Sequence, residues 1–342
     1  MRGIDEDKVT AYLVGNCDGM RPPLVFEQIV GGHSNLTYKV TDASGQSWVL
    51  RRPPLGAVLA TAHDMGREHR IISSLAPAGI PVPPAVALCQ DESVNGAPFY
   101  VMKFVEGHVL DTPWAVENGV PDRAARGRLG TAIVDALAAL HTLEPDDVGL
   151  GDLGRREAYL DRQLSRWRGQ WEKTRTRELP SMEETYELLV RVKPEQKYTG
   201  IVHGDYRLGN MLCTSDGRVA AVLDWELCTL GDTMADLGYI MNNWAEENEA
   251  GPSQAVAMPT AAGGFPTRAE FLAAYSARTG RSTDGIEYYR AFQWWRLAAI
   301  VEGVLARYLK GVMGEAGADM SAFRQQVDQM AEEALTMVRA IA

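Results

Sequence analysis

The sequence predicts an α+β fold with two lobes, a small antiparallel β-sheet lobe followed by a larger, mainly helical lobe. Three observations support this prediction. Strand-type runs separated by turns fill much of the first hundred residues, whereas apolar residues recur at helical spacing after Gly107. The 342 residues also exceed the usual size of one hydrophobic core. We therefore divide the chain into residues 1–103 and residues 104–342.

The N-terminal lobe is predicted from strands, turns and one helix. LVFEQIV leads into GGHSNLTYKV, a DASGQ turn precedes SWVLRR, and an Asn-Gly turn separates AVALCQ from APFYVMKFVEG. Apolar spacing predicts a helix from Thr61 to Leu75, which stops near Gly79. We expect a hinge between the lobes from Lys103 to Gly107.

The helical lobe is predicted from apolar periodicity. RLGTAIVDALAALHTL carries four apolar residues on one face, and the charged segment 155–192 predicts two exposed helices separated near Pro180. Residues 251–266 are loop-like, since Gly, Pro and Ala dominate there. A long helix is predicted from Glu287 to Lys310. Its expected packed face consists of Leu297, Val301, Val304, Leu305 and Tyr308.

Composition limits the partners that we expect. A net charge of −11 argues against a nucleic-acid surface, which needs a basic stripe. The polar N-terminus predicts no signal peptide, and no apolar run approaches the roughly 18 residues of a membrane span. The cysteines show no paired or metal-ligand spacing. We expect a cytoplasmic protein with free thiols and a small-molecule substrate, and a homodimer through segment 155–192 stays open.

Two polar stretches carry the candidate chemistry. HGDYRLGN places Asp205 and Asn210 on one tight loop, and AAVLD delivers Asp224 at the end of an apolar strand. A hairpin turn at TSDGR would bring Asp224 back beside Asn210. A carboxylate such as Asp205 can orient a hydroxyl or accept its proton, and amide and carboxylate oxygens are hard ligands suited to Mg²⁺. The pattern is typical of phosphoryl transfer.

These motifs resemble those of the aminoglycoside phosphotransferase family, whose members share a bilobal protein-kinase-like fold. HGDxxxxN is matched from His203 to Asn210, LDWE carries Asp224, and GDTMADLGY resembles the family's GDPxxDLA. The resemblance implies that Asp205 is catalytic, that Asn210 and Asp224 bind Mg²⁺, and that His203 and Asp236 are structural supports. Asp232 is either part of this motif or a cap of the next helix.

The resemblance also implies a nucleotide site in the first lobe. Gly32, Ser34 and Asn35 lie in the loop expected to cover the phosphates of ATP, with GTP as an alternative donor. Lys103 and Val105, at the link between the lobes, are further implied contacts.

One position departs from the kinase pattern. Arg51 stands where kinases carry a lysine, with Glu68 at the position of its helix-borne partner. An arginine can grip phosphates with its planar fork, but the exchange is not conservative. If Arg52 performed this role instead, the strand register would have to shift by one residue.

The sequence gives less information about the molecule that would accept the phosphate. RRPPLG, RQLSRWRGQW and LDWELCTLGD resemble the branch related to kinase-like domains fused to acyl-CoA dehydrogenases. This implies transfer of the γ-phosphate to the hydroxyl of a metabolite, of hydroxyacyl type or aminoglycoside-like. The alternative is a catalytically impaired, nucleotide-binding regulatory protein, which Arg51 favours. A metal-dependent hydrolase would need more histidine ligands than the sequence offers.

Overall fold

A computed structural model describes residues 1–29, 35–55, 64–247, 249, 258–311 and 319–342. These residues form two compact units. The first comprises Met1–Gly107, Val148–Leu150 and Ala220–Leu227, and the second His108–Asp147, Gly151–Val219 and Cys228–Ala342.

The first unit is built on a five-stranded, fully antiparallel sheet of order β1-β2-β3-β5-β4. Its elements in chain order are α1 (Glu6–Asn16), β1 (Val25–Ile29), β2 (Leu36–Thr41), β3 (Ser47–Arg52), α2 (Met65–Leu75), β4 (Ala85–Cys89), α3 (Glu92–Asn95) and β5 (Phe99–Lys103). The small antiparallel sheet that the sequence predicts is therefore confirmed.

Two helices of this unit differ from the sequence prediction. Helix α1 was not predicted, although it buries Val9 and Leu13 in the same apolar core as Trp48 and Phe99. Burial of each such side chain stabilises the folded state by about 1.5–3 kcal/mol relative to leaving it exposed. The described part of α2 begins at Met65, with the Asp64 side chain accepting a hydrogen bond from the backbone of Arg67, and residues 61–63 lie outside the described residues.

The second unit is mainly helical, as predicted. Its elements are α4 (Pro113–Gly119), α5 (Arg123–Thr142), α6 (Tyr159–Thr174), α7 (Pro180–Arg191), β6 (Thr199–Val202), β7 (Met211–Cys213), β9 (Thr229–Asp232), α8 (Met234–Asn242), α9 (Arg268–Thr279), α10 (Ile286–Leu309) and α11 (Met320–Ile341). Strand β8 (Val219–Val222) belongs to the first unit from Ala220 onward. A turn over 214–218, closed by a hydrogen bond from Thr214 N to Arg218 O, connects β7 to β8.

The predicted faces of the helices need correction. The segment 155–192 contains two helices, but α6 is not simply exposed, because Leu160, Leu164, Trp167 and Trp171 are buried. Helix α10 contacts α6, α7, α8 and α11, so it is buried on several sides. Of its predicted packed face only Leu305 is fully buried, while Leu297, Val301, Val304 and Tyr308 are partly exposed. The small residues Ala298 and Ala299 and the aromatic residues Trp294 and Trp295 fill the core instead.

Within the described ranges, no helix combines the length and the apolar character that crossing a membrane would require. Of the loop-like segment 251–266, residues 251–257 lie outside the described residues, and Pro259–Ala262 forms a short 3-10 helix.

Candidate active site

In the first unit, Arg51 is held between two carboxylates. Its Nη2 donates to Asp224 Oδ1 at 2.7 Å, and its Nε lies 3.4 Å from Glu68 Oε2. The Arg51 side chain is only 13% exposed, so both interactions occur largely away from bulk water. Such desolvation strengthens attraction between opposite charges, provided that each charge is paired.

Glu68 is fixed from further sides. The hydroxyl of Tyr100 donates to Glu68 Oε2 at 3.0 Å, and Asn35 Nδ2 donates to Glu68 Oε1 at 3.2 Å. Burial raises the pKa of Glu68, whereas the Arg51 guanidinium and the bond from Tyr100 oppose this rise. Asn35 Nδ2 also lies 3.4 Å from Glu226 Oε2. The end of β3, helix α2 and residues after β8 are therefore linked by one polar cluster.

Arg52 points away from this cluster. Successive side chains of a strand alternate between the faces of the sheet, and Arg52 donates to the backbone oxygens of Gly3 and Asn95 and, at 3.2 Å, of Pro53. Arg51, rather than Arg52, therefore faces Glu68.

Asp224 has a left-handed backbone conformation, with φ of 65°. This region is uncommon for residues other than glycine, although Asp and Asn tolerate it best, and such strain is often found at functional sites. Trp225–Leu227 forms a short 3-10 helix directly after it. The tight turn aims the Asp224 side chain at Arg51, while 31% of that side chain stays exposed.

In the second unit, the loop after β6 holds Asp205 with Asn210. Asn210 Nδ2 donates to Asp205 Oδ2 at 2.7 Å and to the Asp205 backbone oxygen at 2.9 Å. Arg207 Nε lies 3.3 Å from Asp205 Oδ1. Because both carboxylate oxygens have neighbours, the side chain of Asp205 has a fixed orientation.

The backbone of this loop is supported by Asp236 at the start of α8. Its carboxylate accepts hydrogen bonds from His203 N at 2.6 Å and Gly204 N at 2.8 Å. Gly204 has φ of 87°, which a residue with a side chain rarely adopts. Although burial alone would raise the pKa of Asp236, hydrogen bonds from His141 and from Gly204 N lower it.

His203 takes part in the same support. Its Nδ1 accepts a hydrogen bond from Asp205 N at 3.1 Å, and its side chain is fully buried. This hydrogen bond fixes the tautomer of the imidazole and holds the backbone of the loop in position. His203 is therefore a structural support rather than a reacting group.

Two further residues that the sequence did not predict support this loop. His141, at the end of α5, places Nε2 3.3 Å from Asp236 Oδ2 and Nδ1 2.9 Å from the hydroxyl of Tyr275. Burial lowers the pKa of His141, against the opposing effect of Asp236. Arg296 Nη2 donates to Gly204 O at 3.0 Å. A histidine in the apolar run ALHTL was the available signal for His141, whereas nothing in the α10 pattern distinguished Arg296.

The other residues that the sequence predicted for the site lie in different environments. Lys103 places Nζ 5.0 Å from the ring centre of Trp48 and is exposed, and Val105 is partly buried. Asp232 accepts hydrogen bonds from the hydroxyl of Tyr289 at 2.6 Å and from Met234 N at 3.1 Å. Gly32 and Ser34 lie outside the described residues.

Comparison with known proteins agrees with these motifs. Residues 25–295 match the model of the phosphotransferase enzyme family, APH. The chain belongs to this family. Among solved structures, a provisionally named aminoglycoside phosphotransferase from Ralstonia eutropha JMP134 is 34% identical, with a TM-score of 0.83 and 98% of each chain covered.

Curated relatives of this APH chain are longer proteins. Acyl-CoA dehydrogenase family member 10 of Mus musculus is 34% identical over 93% of this chain, which spans only 30% of that relative. Acyl-CoA dehydrogenase family member 11 of Gallus gallus is 33% identical over 92% of this chain, which spans 40% of it. The chain therefore spans between 30% and 43% of the length of these curated relatives.

More distant APH structures share the fold alone. A thermostable mutant of aminoglycoside phosphotransferase APH(4)-Ia is 15% identical, with a TM-score of 0.60, 98% of this chain and 99% of that chain covered, and its structure is a ternary complex with AMP-PNP and hygromycin B. The protein-kinase-like fold is thus confirmed for this member of the APH family.

Proposed function

We propose that this protein is an ATP-dependent kinase that transfers the γ-phosphate to a hydroxyl group of a small molecule. The observation that supports this best is the geometry of Asp205, whose carboxylate is oriented by Asn210 on a loop supported by Asp236. A fixed carboxylate can orient an acceptor hydroxyl and take up its proton, which is the role that phosphoryl transfer assigns to such a residue.

Arg51 is the proposed phosphate-binding residue. Its guanidinium carries several donors, of which one is bound to Asp224 and another faces Glu68. A planar fork leaves further N–H groups for phosphate oxygens, and Arg is well suited to bidentate phosphate contacts. We place the remaining nucleotide contacts at Gly32, Ser34, Asn35, Lys103 and Val105, following the family's motif order, with ATP preferred to GTP.

The donor chemistry of Asn210 and Asp224 fits Mg²⁺. Toward the residues that the structure describes, the Asn210 amide forms its hydrogen bonds through Nδ2, which leaves its carboxamide oxygen for a cation. Only Oδ1 of Asp224 is engaged by Arg51, and the side chain is partly exposed. When bound, Mg²⁺ would neutralise charge on the transferred phosphate. Among the residues the structure describes, no group of three or more His, Cys, Asp or Glu side chains is placed to hold a metal.

The acceptor that we propose is a hydroxylated metabolite of hydroxyacyl type rather than an antibiotic. The support is the similarity to the acyl-CoA dehydrogenase family members 10 and 11 along more than nine-tenths of this chain. We also propose a cytoplasmic location, since Cys17, Cys89, Cys213 and Cys228 are all free and buried.

One observation favours the alternative of a nucleotide-binding regulatory protein. Arg51 is already paired with Asp224, and a phosphate would have to share this guanidinium with the carboxylate. Phosphate transfer that is lost in Asp205→Ala would decide for the kinase.

The experiment that tests the proposal is calorimetric titration of ATP, GTP and ADP, each with and without Mg²⁺. Wild type, Asp205→Ala and Asp224→Ala are compared. We expect Mg²⁺-dependent ATP binding by wild type and Asp205→Ala, and weaker Mg²⁺-dependent binding by Asp224→Ala. If no nucleotide binds to wild type, the kinase proposal is wrong.

A further inference from the structure

Arg296 is a buried cation, and within the described ranges its hydrogen bonds go only to neutral groups. The residue is only 6% exposed, and it donates from Nη1 to Gln293 Oε1 at 2.9 Å and from Nη2 to Gly204 O at 3.0 Å. Its Nε is buried and has no acceptor among the described residues. A buried charge without a counter-ion is unfavourable, so this arrangement requires an explanation.

A second guanidinium lies against the same aromatic ring as Arg296. Cζ of Arg166 and Cζ of Arg296 are each 5.2 Å from the ring centre of Trp167. Loss of water around the group and, second, the positive charge of Arg296 lower the pKa of Arg166. In the part of the chain that the structure describes, neither arginine forms an ion pair with a carboxylate. Two like charges therefore face one aromatic ring without neutralisation.

Arg296 adjoins the loop that carries Asp205. Arg296 binds the backbone oxygen of Gly204, the residue before Asp205, and its Cζ also lies 5.8 Å from the ring centre of Tyr239. Burial and, second, the carboxylate of Asp205 raise the pKa of Tyr239. Tyr239 is thus influenced by both Asp205 and Arg296, which locates Arg296 next to the proposed catalytic carboxylate.

We propose that Arg166 and Arg296 form a subsite for an anionic group of the acceptor, either a carboxylate or a phosphate monoester. This inference rests on the proposed kinase function, because it assigns the molecule whose hydroxyl Asp205 would orient. An anion at this position would neutralise both guanidinium groups and accept hydrogen bonds from their free N–H donors. The rings of Trp167 and Tyr239 lie against the Arg296 guanidinium and would hold it in position for this anion.

The charge of this subsite selects against polycations. The chain as a whole carries −11, yet the proposed subsite presents two positive charges. Like charges placed opposite one another suppress binding of the wrong partner. A hydroxy acid or a phosphorylated alcohol fits these charges, whereas an aminoglycoside, which carries several ammonium groups, does not.

The first test is calorimetric titration of the full chain with sulfate at constant ionic strength. Wild type is compared with Arg166→Gln and with Arg168→Gln. Arg168 is a matched control, since it lies on the same helix but is paired with Glu172 and Glu183. We expect sulfate binding to weaken by about tenfold or more in Arg166→Gln, because hydrogen bonds to charged groups are the stronger ones. Arg168→Gln should bind sulfate as wild type does.

Arg166 is chosen for substitution because it is exposed, so that its replacement should leave the fold intact. Equal sulfate affinity in wild type and Arg166→Gln would overturn the inference. The inference would also be overturned if Arg168→Gln weakened sulfate binding as much as Arg166→Gln does.

A second test compares matched anionic and neutral alcohols. The pairs are 3-hydroxybutyrate with 1,3-butanediol, and glycerol 3-phosphate with glycerol. Binding that is at least about tenfold tighter for one anionic member identifies the group as carboxylate or phosphate. Equal binding within both pairs contradicts the subsite. Nucleotide binding is measured separately: its absence would refute the kinase proposal, while sulfate and alcohol binding would still decide whether the arginines hold an anion.

Discussion

Arg51 Nη2 lies 2.7 Å from Asp224 Oδ1, although 173 positions separate the two residues. Arg51 stands on its strand where kinases carry a lysine, and Asp224 is the proposed metal ligand, so the ion pair links these two roles. Glu68 lies against the same guanidinium, so one cation balances two carboxylates. This arrangement explains how an arginine can occupy the lysine position and makes its contribution measurable.

Arg51→Met should lower the free energy of unfolding by about 3–5 kcal/mol, because it leaves the buried carboxylate of Glu68 without its counter-ion. Chemical denaturation measures this loss. The double variant Arg51→Met/Glu68→Gln removes both charges and should recover part of it. If the double variant were less stable than the single variant by the full cost of Glu68→Gln alone, the two residues would not be coupled.

His141 should make stability depend on pH below its ordinary pKa of about 6.5. Burial lowers the pKa of His141 in the folded protein, so the unfolded chain binds more protons as pH falls through this window. Stability is therefore expected to fall between about pH 6.5 and the lower folded pKa. Denaturation of wild type and His141→Asn at several pH values measures this.

The matched control is His69→Asn. Burial lowers the pKa of His69 as well, so each variant should remove only its own share of the pH dependence. An unchanged pH profile in His141→Asn would show that the imidazole is not held neutral by burial.

Asp205→Asn should reduce the rate of phosphate transfer by about 100- to 10,000-fold, the usual contribution of a positioned acid or base. The amide keeps the size of the side chain but cannot take up a proton. Nucleotide affinity should be unchanged, since Asp205 is assigned to the acceptor. The measurement is ADP release with an accepted alcohol, beside calorimetry with ATP. A variant that retains the wild-type rate would remove Asp205 from the mechanism.

Asp236→Asn should lower activity by at least about tenfold, because an amide oxygen cannot replace both carboxylate oxygens that accept from His203 N and Gly204 N. Asp232→Asn is the matched control. Asp232 is also buried, but it bonds to Tyr289 and Met234 rather than to the catalytic loop. Both changes should reduce stability. Only Asp236→Asn should also reduce the transfer rate measured on protein that remains folded.

The sequence allowed prediction where the signal is local. Strand alternation and turns predicted the antiparallel sheet, and helical spacing predicted α10 to within one residue at each end. Helix α1 was missed because its polar and apolar residues are mixed, and its contacts with the core come mainly from Val9 and Leu13, with Tyr12 partly buried beside them. The packed face of α10 was misplaced because neighbours on several sides, rather than one apolar stripe, decide which residues are buried.

The candidate site shows the same distinction. Asp205 and Asn210 lie five positions apart, and their contact follows from one loop. The support of that loop by His141 depends on residues 95 positions apart, and the position of Arg296 beside Gly204 spans 92 positions. Such contacts depend on how helices pack, which a single sequence does not specify.

Arg51→Lys distinguishes the two functions considered for this fold. A lysine carries a single compact ammonium group instead of a planar fork of donors. It therefore lacks the separate Nε and Nη2 donors with which Arg51 contacts Glu68 and Asp224. If Arg51 is the working phosphate ligand, the lysine variant should raise the KM for ATP by about tenfold. Its free energy of unfolding should also fall by about 1–2 kcal/mol, because one charge-assisted contact is lost. Steady-state kinetics at saturating acceptor and chemical denaturation measure the two effects. A lysine variant that transfers phosphate faster than wild type would instead show that Arg51 impairs an otherwise complete kinase site, as the regulatory alternative requires.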